Sequence, residues 1–222
     1  MAGSWEIKQS KSVLVCILHT DVVTLAWSFG FRNLIIPGPP PLALSGMPFD
    51  HARNTACKSA LEQGVDWLFF LDSDVVVPHD AILRLMTHNK PFISGMYRRR
   101  SPPVAVPVMI RNGSWVTDFP QGQVIDVDLV GAGCLLIHRD LLLKCPPQRP
   151  QAGKTWFDWR VDCQGILPPG ECLSEDFTMN LHIKRTMGIP TLVDTSVRCR
   201  HIGYGEADEN GVWKPMETRS IT

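Results

Sequence analysis

Two carboxylates two residues apart follow an apolar segment in the first third of the chain. Asp72 and Asp74, with Ser73 between them, come directly after residues 66–71, a run that predicts a buried strand. Ligands bind at the carboxyl ends of strands in open α/β sheets, and residues i and i+2 of an extended chain share one face. The pair can therefore converge on one hard cation such as Mg²⁺ or Mn²⁺. The alternative is a solvated turn, because a short Asp-x-Asp motif is weakly specific.

A second pair of acids opens the helix that the sequence predicts over residues 174–187. Glu175 and Asp176 lie in its first turn, where negative charge favours the helix dipole. One of them can equally serve as a general base or bind a hydroxyl acceptor. The sequence leaves both interpretations open.

Three further features could contribute to a site. His201 follows a predicted strand and is either a third metal ligand or an ordinary surface or core histidine. Arg53 and Asn54 lie in the helix before Asp72, where the arginine either reaches a phosphate or is solvated. Gly131-Ala132-Gly133 separates two apolar β segments and either admits a ligand close to the backbone or forms a bulge. The sequence contains no GxxxxGK[ST] motif, which argues against a P-loop NTPase.

Alternating apolar runs and helical segments must position these residues. The order strand, helix, strand, helix, strand over residues 12–96 predicts a parallel sheet, and shorter segments between 104 and 130 predict antiparallel strands. Residues 37–46 and 145–173 are predicted loops, and 203–222 is a polar, partly ordered tail. The predicted strands are 12–19, 33–36, 66–71, 92–96, 133–138, 191–194 and 197–201, and the predicted helices are 21–28, 50–63, 79–88, 139–144 and 174–187.

Composition narrows the class of protein. With 222 residues, 44% of them hydrophobic and 20% charged, the chain is expected to form one large globular domain. Twenty-two basic and 22 acidic residues give no net charge, which argues against a polybasic nucleic-acid binder. The seven cysteines form no CxxC pair, and we expect a reducing cytosol. Neither a membrane span nor a signal-peptide core is present, so the prediction is a cytoplasmic protein, a monomer or small homo-oligomer, without membrane partners.

The features occur in an order that resembles the GT-A fold glycosyltransferases, close to family 2-like enzymes found in many phages. The segments that carry the resemblance, besides Arg53-Asn54, are FFLDSDVVVP at 69–78, ISGMYRRR at 93–100, DLVGAGCLLIHRDLL at 128–142, SEDFTMNLHIKRTMGIPTLVDTSV at 174–197 and CRHIG at 199–203. The resemblance implies a single α/β domain with a mixed central sheet. Its Rossmann-like nucleotide-binding half would span about 12–100 and its acceptor and catalytic half, partly antiparallel, about 101–203, before a tail over 204–222.

The resemblance also implies roles for individual residues. Asp72 and Asp74 would be the DxD pair and His201 the distal ligand of a Mn²⁺ or Mg²⁺ ion that binds the diphosphate of a nucleotide-sugar, which we expect to be a UDP-sugar. Asp176 would be the catalytic base, with Glu175 beside it in the same motif. The residues expected to contact the nucleotide-sugar are Thr20, Asp21, Arg53, Asn54, Asp72, Ser73, Arg98, Gly131, Ala132 and Gly133. The first strand ends in His-Thr, where the family often has Pro-Thr.

The resulting expectation is a metal-dependent, inverting glycosyltransferase with a hydroxyl acceptor. The basic run at 98–100 and the aromatic residues Trp156, Phe157 and Trp159 motivate one acceptor hypothesis, a hydroxymethylated pyrimidine in DNA. The same aromatics can instead pin their loop by becoming buried. The sequence is also compatible with a glycan or protein acceptor, a nucleotidyltransferase, a nucleotide-sugar hydrolase, or a non-catalytic module that binds a nucleotide-sugar or DNA.

Overall fold

The computed structural model describes residues 12–99, 106–152, 155–159, 167, 173–203, 205–207 and 212–215. Its helices are α1 (Leu25–Arg32), α2 (Phe49–Glu62), α3 (Ala81–Thr87), α4 (Arg139–Lys144) and α5 (Glu175–Met187). Its strands are β1 (Val13–Leu18), β2 (Leu42–Leu44), β3 (Trp67–Asp72), β4 (Val75–Val76), β5 (Phe92–Met96), β6 (Met109–Arg111), β7 (Ser114–Trp115), β8 (Val124–Val127), β9 (Leu129–Val130), β10 (Cys134–His138), β11 (Thr191–Arg198), β12 (Arg200–Ile202), β13 (Gly205–Ala207) and β14 (Trp213–Pro215).

A seven-stranded mixed sheet forms the centre, in the order β2-β1-β3-β10-β5-β11-β8. β1 pairs in parallel with β2 and β3, and β5 pairs in parallel with β11. β10 lies antiparallel between β3 and β5, and β8 runs antiparallel to β11 at the edge. Two antiparallel sheets, β14-β13-β12-β4 and β7-β6-β9, complete the architecture. The predicted fold class, α/β with a mixed central sheet and an antiparallel part, is confirmed.

Helices cover both faces of the central sheet. Successive side chains of β1 alternate between two cores, with Leu14 on the side of α2, α4 and α5 and Val15 on the side of α1 and α3. β10 alternates in the same way through Leu135 and Leu136, and all four side chains are fully buried. Burial on both faces explains why these strands appear in the sequence as continuous apolar runs.

Helix ends follow local capping chemistry. α5 begins after Ser174 and ends at Gly188, whose φ of +65° is the left-handed conformation that glycine adopts easily. α1 begins later than its predicted segment because the Thr24 hydroxyl accepts a hydrogen bond from Trp27 N at 3.1 Å. α2 begins at Phe49 after Pro48, one residue before its predicted segment.

Several predicted segments differ from the structure, and the strands predicted at 191–194 and 197–201 are observed as β11 and β12. Residues 33–36, predicted as a strand, form no strand, and β2 lies instead within the proline-rich segment predicted as a loop. The backbone of β2 pairs with Cys16–Leu18 of β1 at the edge of the sheet. The proline and glycine content of the segment does not reveal this pairing. Part of the predicted tail forms β13 and β14, which extend the small sheet containing β12. None of the helices in the described ranges is long and apolar enough to cross a membrane.

Candidate active site

A cleft of about 370 Å³ opens at the carboxyl ends of β1 and β3. Its lining comes from residues 72–74, from the end of β1 and the segment after it, from the first residue of α2 and from the end of β12 and the residue after it. The lining residues are Leu18, His19, Thr20, Val22, Val23, Thr24, Phe49, Asp72, Ser73, Asp74, Ile202 and Gly203. The position is the one at which open α/β sheets bind ligands.

One buried guanidinium joins two of the predicted acids. Arg53 Nη2 donates to Asp72 Oδ1 at 3.1 Å, and Arg53 Nε donates to Glu175 Oε1 at 3.0 Å. Arg53 is 3% exposed, and its guanidinium also lies 5.1 Å from the centre of the Phe70 ring. The arginine therefore faces the protein and ties the end of β3 to the start of α5, whereas the resemblance placed it against the nucleotide.

Burial shifts the acid–base properties of both carboxyl groups. Burial raises the pKa of Asp72, and the adjacent Arg53 opposes that shift. Burial also raises the pKa of Glu175 to about 7, helped by the charge of Asp176 and opposed by Arg53. A single buried cation thus compensates only part of the negative charge that surrounds it.

Asp176 is the acid that faces the glycine segment. Its Oδ2 accepts a hydrogen bond from Ala132 N at 3.1 Å, while its Oδ1 accepts from Phe177 N at 2.8 Å and from the Ser174 hydroxyl. Glu175, in contrast, is held by Arg53. The two neighbouring acids thus have different surroundings, which the sequence pattern alone did not distinguish.

Tyr97 contacts the site, although its position in the sequence did not single it out. Its hydroxyl accepts a hydrogen bond from Gly133 N at 3.1 Å, and its ring meets the His201 ring edge-on with centroids 5.4 Å apart. Burial raises the pKa of the Tyr97 hydroxyl well above its usual range, and the charges of Asp176 and Asp72 add to the shift. The phenol therefore stays neutral. Its place within ISGMYRRR, next to the basic run, was the only signal in the sequence.

Asp74 and His201 are brought together by the pairing of β4 with β12. Ile202 N donates to Asp74 O at 2.7 Å, and His201 Nε2 lies 3.5 Å from Asp74 Oδ1. His201 Nδ1 lies 2.7 Å from the carbonyl oxygen of Arg98. Because a carbonyl only accepts, Nδ1 donates to the Arg98 oxygen, and Nε2 is the ring nitrogen that faces Asp74.

The predicted metal ligands do not form a ready-made cluster. Among the residues that the structure describes, no group of three or more His, Cys, Asp and Glu side chains is placed to hold a metal ion. Asp72 is paired with Arg53, whereas Asp74 Oδ1 and His201 Nε2 lie 3.5 Å apart. A carboxylate oxygen beside an imidazole nitrogen, with the ring oriented by a backbone carbonyl, is a donor set that suits a divalent cation.

The other residues expected to contact the nucleotide-sugar differ in where they lie relative to the cleft. Thr20 and Ser73 line the cleft, whereas Asp21 is exposed outside its lining, with a φ of 69° and its N–H directed at His19 Nδ1. Arg98 contributes its backbone carbonyl to His201. Gly133 approaches the site so closely that an added Cβ would lie 3.2 Å from Asp72 Oδ2.

Asn54 holds a loop and does not reach the cleft. Its amide nitrogen donates to Phe157 O at 2.8 Å and to Asp50 O at 2.7 Å, and its Oδ1 accepts from Trp156 N at 2.9 Å. Trp156 and Phe157 are both buried, so the loop is pinned by its aromatics as the second interpretation of this segment supposed. Only Trp159, 47% exposed, remains accessible.

The basic run at 98–100 was expected to contact a DNA acceptor, and the structure shows one of its side chains in a packing contact. The Arg99 guanidinium lies over the Trp115 ring, 4.8 Å from its centre, and Arg100 lies outside the described residues. With Trp156 and Phe157 buried and Arg99 over Trp115, three of the six residues that motivated a DNA acceptor serve packing. The DNA acceptor stays a prediction.

Comparison with known proteins establishes the fold. No family model and no curated protein matches the sequence. The structure is similar to A197 from STIV, with a TM-score of 0.64 and 18% identity over 95% of this chain and 97% of that chain. At that identity the likeness shows a shared fold and does not extend to activity.

Two weaker likenesses are to proteins with transferase names. One is a mannose-1-phosphate geranyltransferase from Thermus thermophilus, with a TM-score of 0.46, 11% identity, and coverage of 85% of this chain and 75% of that chain. The other is a glycosyltransferase involved in the glycosylation of the major capsid of PBCV-1, with a TM-score of 0.31, 14% identity, and coverage of 60% of this chain and 62% of that chain. Likenesses this weak do not bear on the activity of this chain.

Proposed function

We propose that the protein is a transferase that moves a sugar from a nucleotide-sugar, such as a UDP-sugar, to a hydroxyl acceptor with the help of Mn²⁺ or Mg²⁺. The observation that carries the proposal is the Asp74–His201 pair beside the cleft, with the His201 ring oriented by the Arg98 carbonyl so that Nε2 faces Asp74. The cleft volume of about 370 Å³ lies within the range of small-molecule sites.

Asp74 Oδ1 and His201 Nε2 would hold the divalent cation. When bound, the cation stabilises the negative charge that develops on the departing diphosphate. Asp72, whose charge is partly neutralised by Arg53, would line the ligand side of the cleft without being the main cation ligand.

Asp176 would be the base. The acceptor hydroxyl would lie beside residues 131–133, where Asp176 Oδ2 already accepts from Ala132 N. As the acceptor oxygen forms its bond to the sugar carbon, its proton passes to Asp176, and the bond between sugar and diphosphate breaks. Glu175 is directed to Arg53 and would hold the start of α5 in place.

Thermal stabilisation by ligands tests the proposal. We expect UDP or a UDP-sugar with Mn²⁺ to raise the melting temperature by about 5–10 °C at a hundredfold excess over the dissociation constant, and each ligand alone to do much less. Asp74→Asn should abolish the shift because it removes the anionic donor.

The matched control is Asp80→Asn, which removes the same charge on the segment before α3 and outside the cleft. It should keep the full shift. A Mn²⁺-dependent shift that survives in Asp74→Asn, or no shift with any of a panel of nucleotides and nucleotide-sugars, would contradict the proposal.

A further inference from the structure

The lining of the cleft combines two kinds of side chain. Residues 72–74 supply carboxylate and hydroxyl groups at the ends of the strands, and Val22, Val23 and Phe49 supply apolar side chains. Phe49 is 52% exposed and Val22 81% exposed, although both belong to a concave surface. An aromatic ring exposed inside a polar cleft is typical of a surface that a ligand covers.

We propose that Phe49 is the stacking residue for the nucleobase of the donor. The inference rests on the function proposed above and adds a residue that decides how the donor is held. A nucleoside diphosphate combines an anionic, cation-binding part with a flat ring, and these two parts match the polar and the apolar side chains of the lining.

Phe49 lies on a part of the backbone that is held rigidly. It is the first residue of α2, directly after Pro48, whose ring restricts the backbone. Four residues further along the same helix, Arg53 is bonded to Asp72 and Glu175, which anchors the helix to the floor of the site. An aromatic side chain on an anchored helix loses little freedom when a base stacks on it.

The diphosphate and the nucleobase of the donor would depend on different groups of the protein for binding. None of the lining residues, all within the described ranges, is a lysine or arginine, so the diphosphate depends on the bound cation for its counter-charge. Phe49 is uncharged and would act on the base alone. Stacking tolerates any base because every base has a π face.

Titration calorimetry with three probes tests this separation. Wild type and Phe49→Ala are each titrated with UDP, GDP and inorganic pyrophosphate in the presence of Mn²⁺. We expect Phe49→Ala to weaken both nucleotides about tenfold to a hundredfold and to leave pyrophosphate unchanged within about twofold. Phe49→Trp should keep the affinity for both nucleotides, since it retains an aromatic face.

Phe29→Ala is the matched control. Phe29 is 53% exposed on α1 and does not line the cleft, so its removal should leave all three affinities unchanged. Equal weakening of pyrophosphate and nucleotides in Phe49→Ala would mean that the residue acts through the fold of α2, and it would overturn the inference. Unchanged nucleotide affinity would overturn it too. If wild type binds none of the probes with Mn²⁺, the proposed function itself fails and this inference fails with it.

Discussion

Tyr97 and Gly131 are in a contact that leaves no room for a side chain between them. A Cβ added at Gly131 would lie 2.0 Å from Tyr97 Oη and 3.0 Å from the adjoining ring carbon. Gly133 N donates to the same hydroxyl. The Tyr97 hydroxyl thus contacts both glycines of the segment at 131–133. The requirement for glycine at position 131 comes from Tyr97, which follows β5 and is far away in the sequence.

We expect Gly131→Ala to destabilise the protein by about 1–3 kcal/mol, because it forces atoms into an occupied space. The double variant Gly131→Ala with Tyr97→Phe should be less destabilised than the sum of its single variants, since removal of the hydroxyl relieves the closest contact. Urea unfolding of the four proteins in the cycle measures this coupling. Strict additivity would show that Tyr97 does not confine Gly131.

The raised pKa of Glu175 predicts a pH dependence of stability. With a folded-state pKa of about 7 against 4.5 for the free side chain, the native state binds the proton more tightly than the unfolded state. The stabilisation is present below about pH 4.5 and is lost as the pH rises through about 7.

Wild type should therefore lose on the order of 2–3 kcal/mol of unfolding free energy, relative to Glu175→Gln, between about pH 4.5 and about pH 8. Gln keeps an oxygen acceptor for Arg53 and does not titrate in this range. Urea denaturation of both proteins over that interval measures the difference. Parallel stability curves would mean that the pKa of Glu175 is the same in the folded and unfolded states.

At the scale of elements, α2 connects the central sheet to the rest of the site. Arg53 bonds to the last residue of β3 and to the first residue of α5, and the adjacent Asn54 bonds to the loop at 156–157. Both side chains are buried polar groups with several partners each, and such groups specify one arrangement of the elements around them. The helix therefore acts as a structural link, with only Phe49 at its start directed into the cleft.

Asn54→Ala should loosen the loop without unfolding the sheet. Trp156 N and Phe157 N would each lose an acceptor, at a cost of about 1–3 kcal/mol. Hydrogen exchange is the direct measurement, and the amides of Trp156 and Phe157 should exchange faster while those of β1 keep their relative protection. Asn33→Ala, at the exposed end of α1, serves as the control and should leave the two loop amides unchanged.

At the scale of the whole molecule, the central sheet is buried on both faces. Leu135 and Leu136 are consecutive residues of β10, yet one packs in the core with α2, α4 and α5 and the other in the core with α1 and α3. A sheet with one solvated face would expose one of the two. Both are fully buried here, so the two cores depend on the same strand.

Leu135→Ala and Leu136→Ala should therefore destabilise the protein similarly, by about 2–5 kcal/mol each. Their effects should be close to additive because the side chains occupy separate cores. Chemical denaturation followed by circular dichroism tests both statements. A small effect for either substitution would show that the corresponding face is loosely packed.

Local sequence patterns were sufficient for many elements. The strand at 92–96 and the helix at 139–144 have the bounds that the sequence predicted, and α5 ends at residue 187, as its predicted segment does. The carboxylates of Asp72 and Asp74 were placed at the end of a buried strand because an apolar run stops there. These features depend on neighbours in the chain, which the sequence shows directly.

Contacts between distant segments required the tertiary structure. The insertion of β10 between β3 and β5, the pairing of β2 within a proline-rich segment, and the partners of Arg53 and Asn54 all join residues far apart in sequence. Asp74 meets His201 only because β4 pairs with β12. The sequence by itself determined the α/β class, most of the elements and the residue types available for chemistry. Only the tertiary structure decided which of those residues face the cleft and which face each other, because long-range pairing and burial depend on packing that no local pattern encodes.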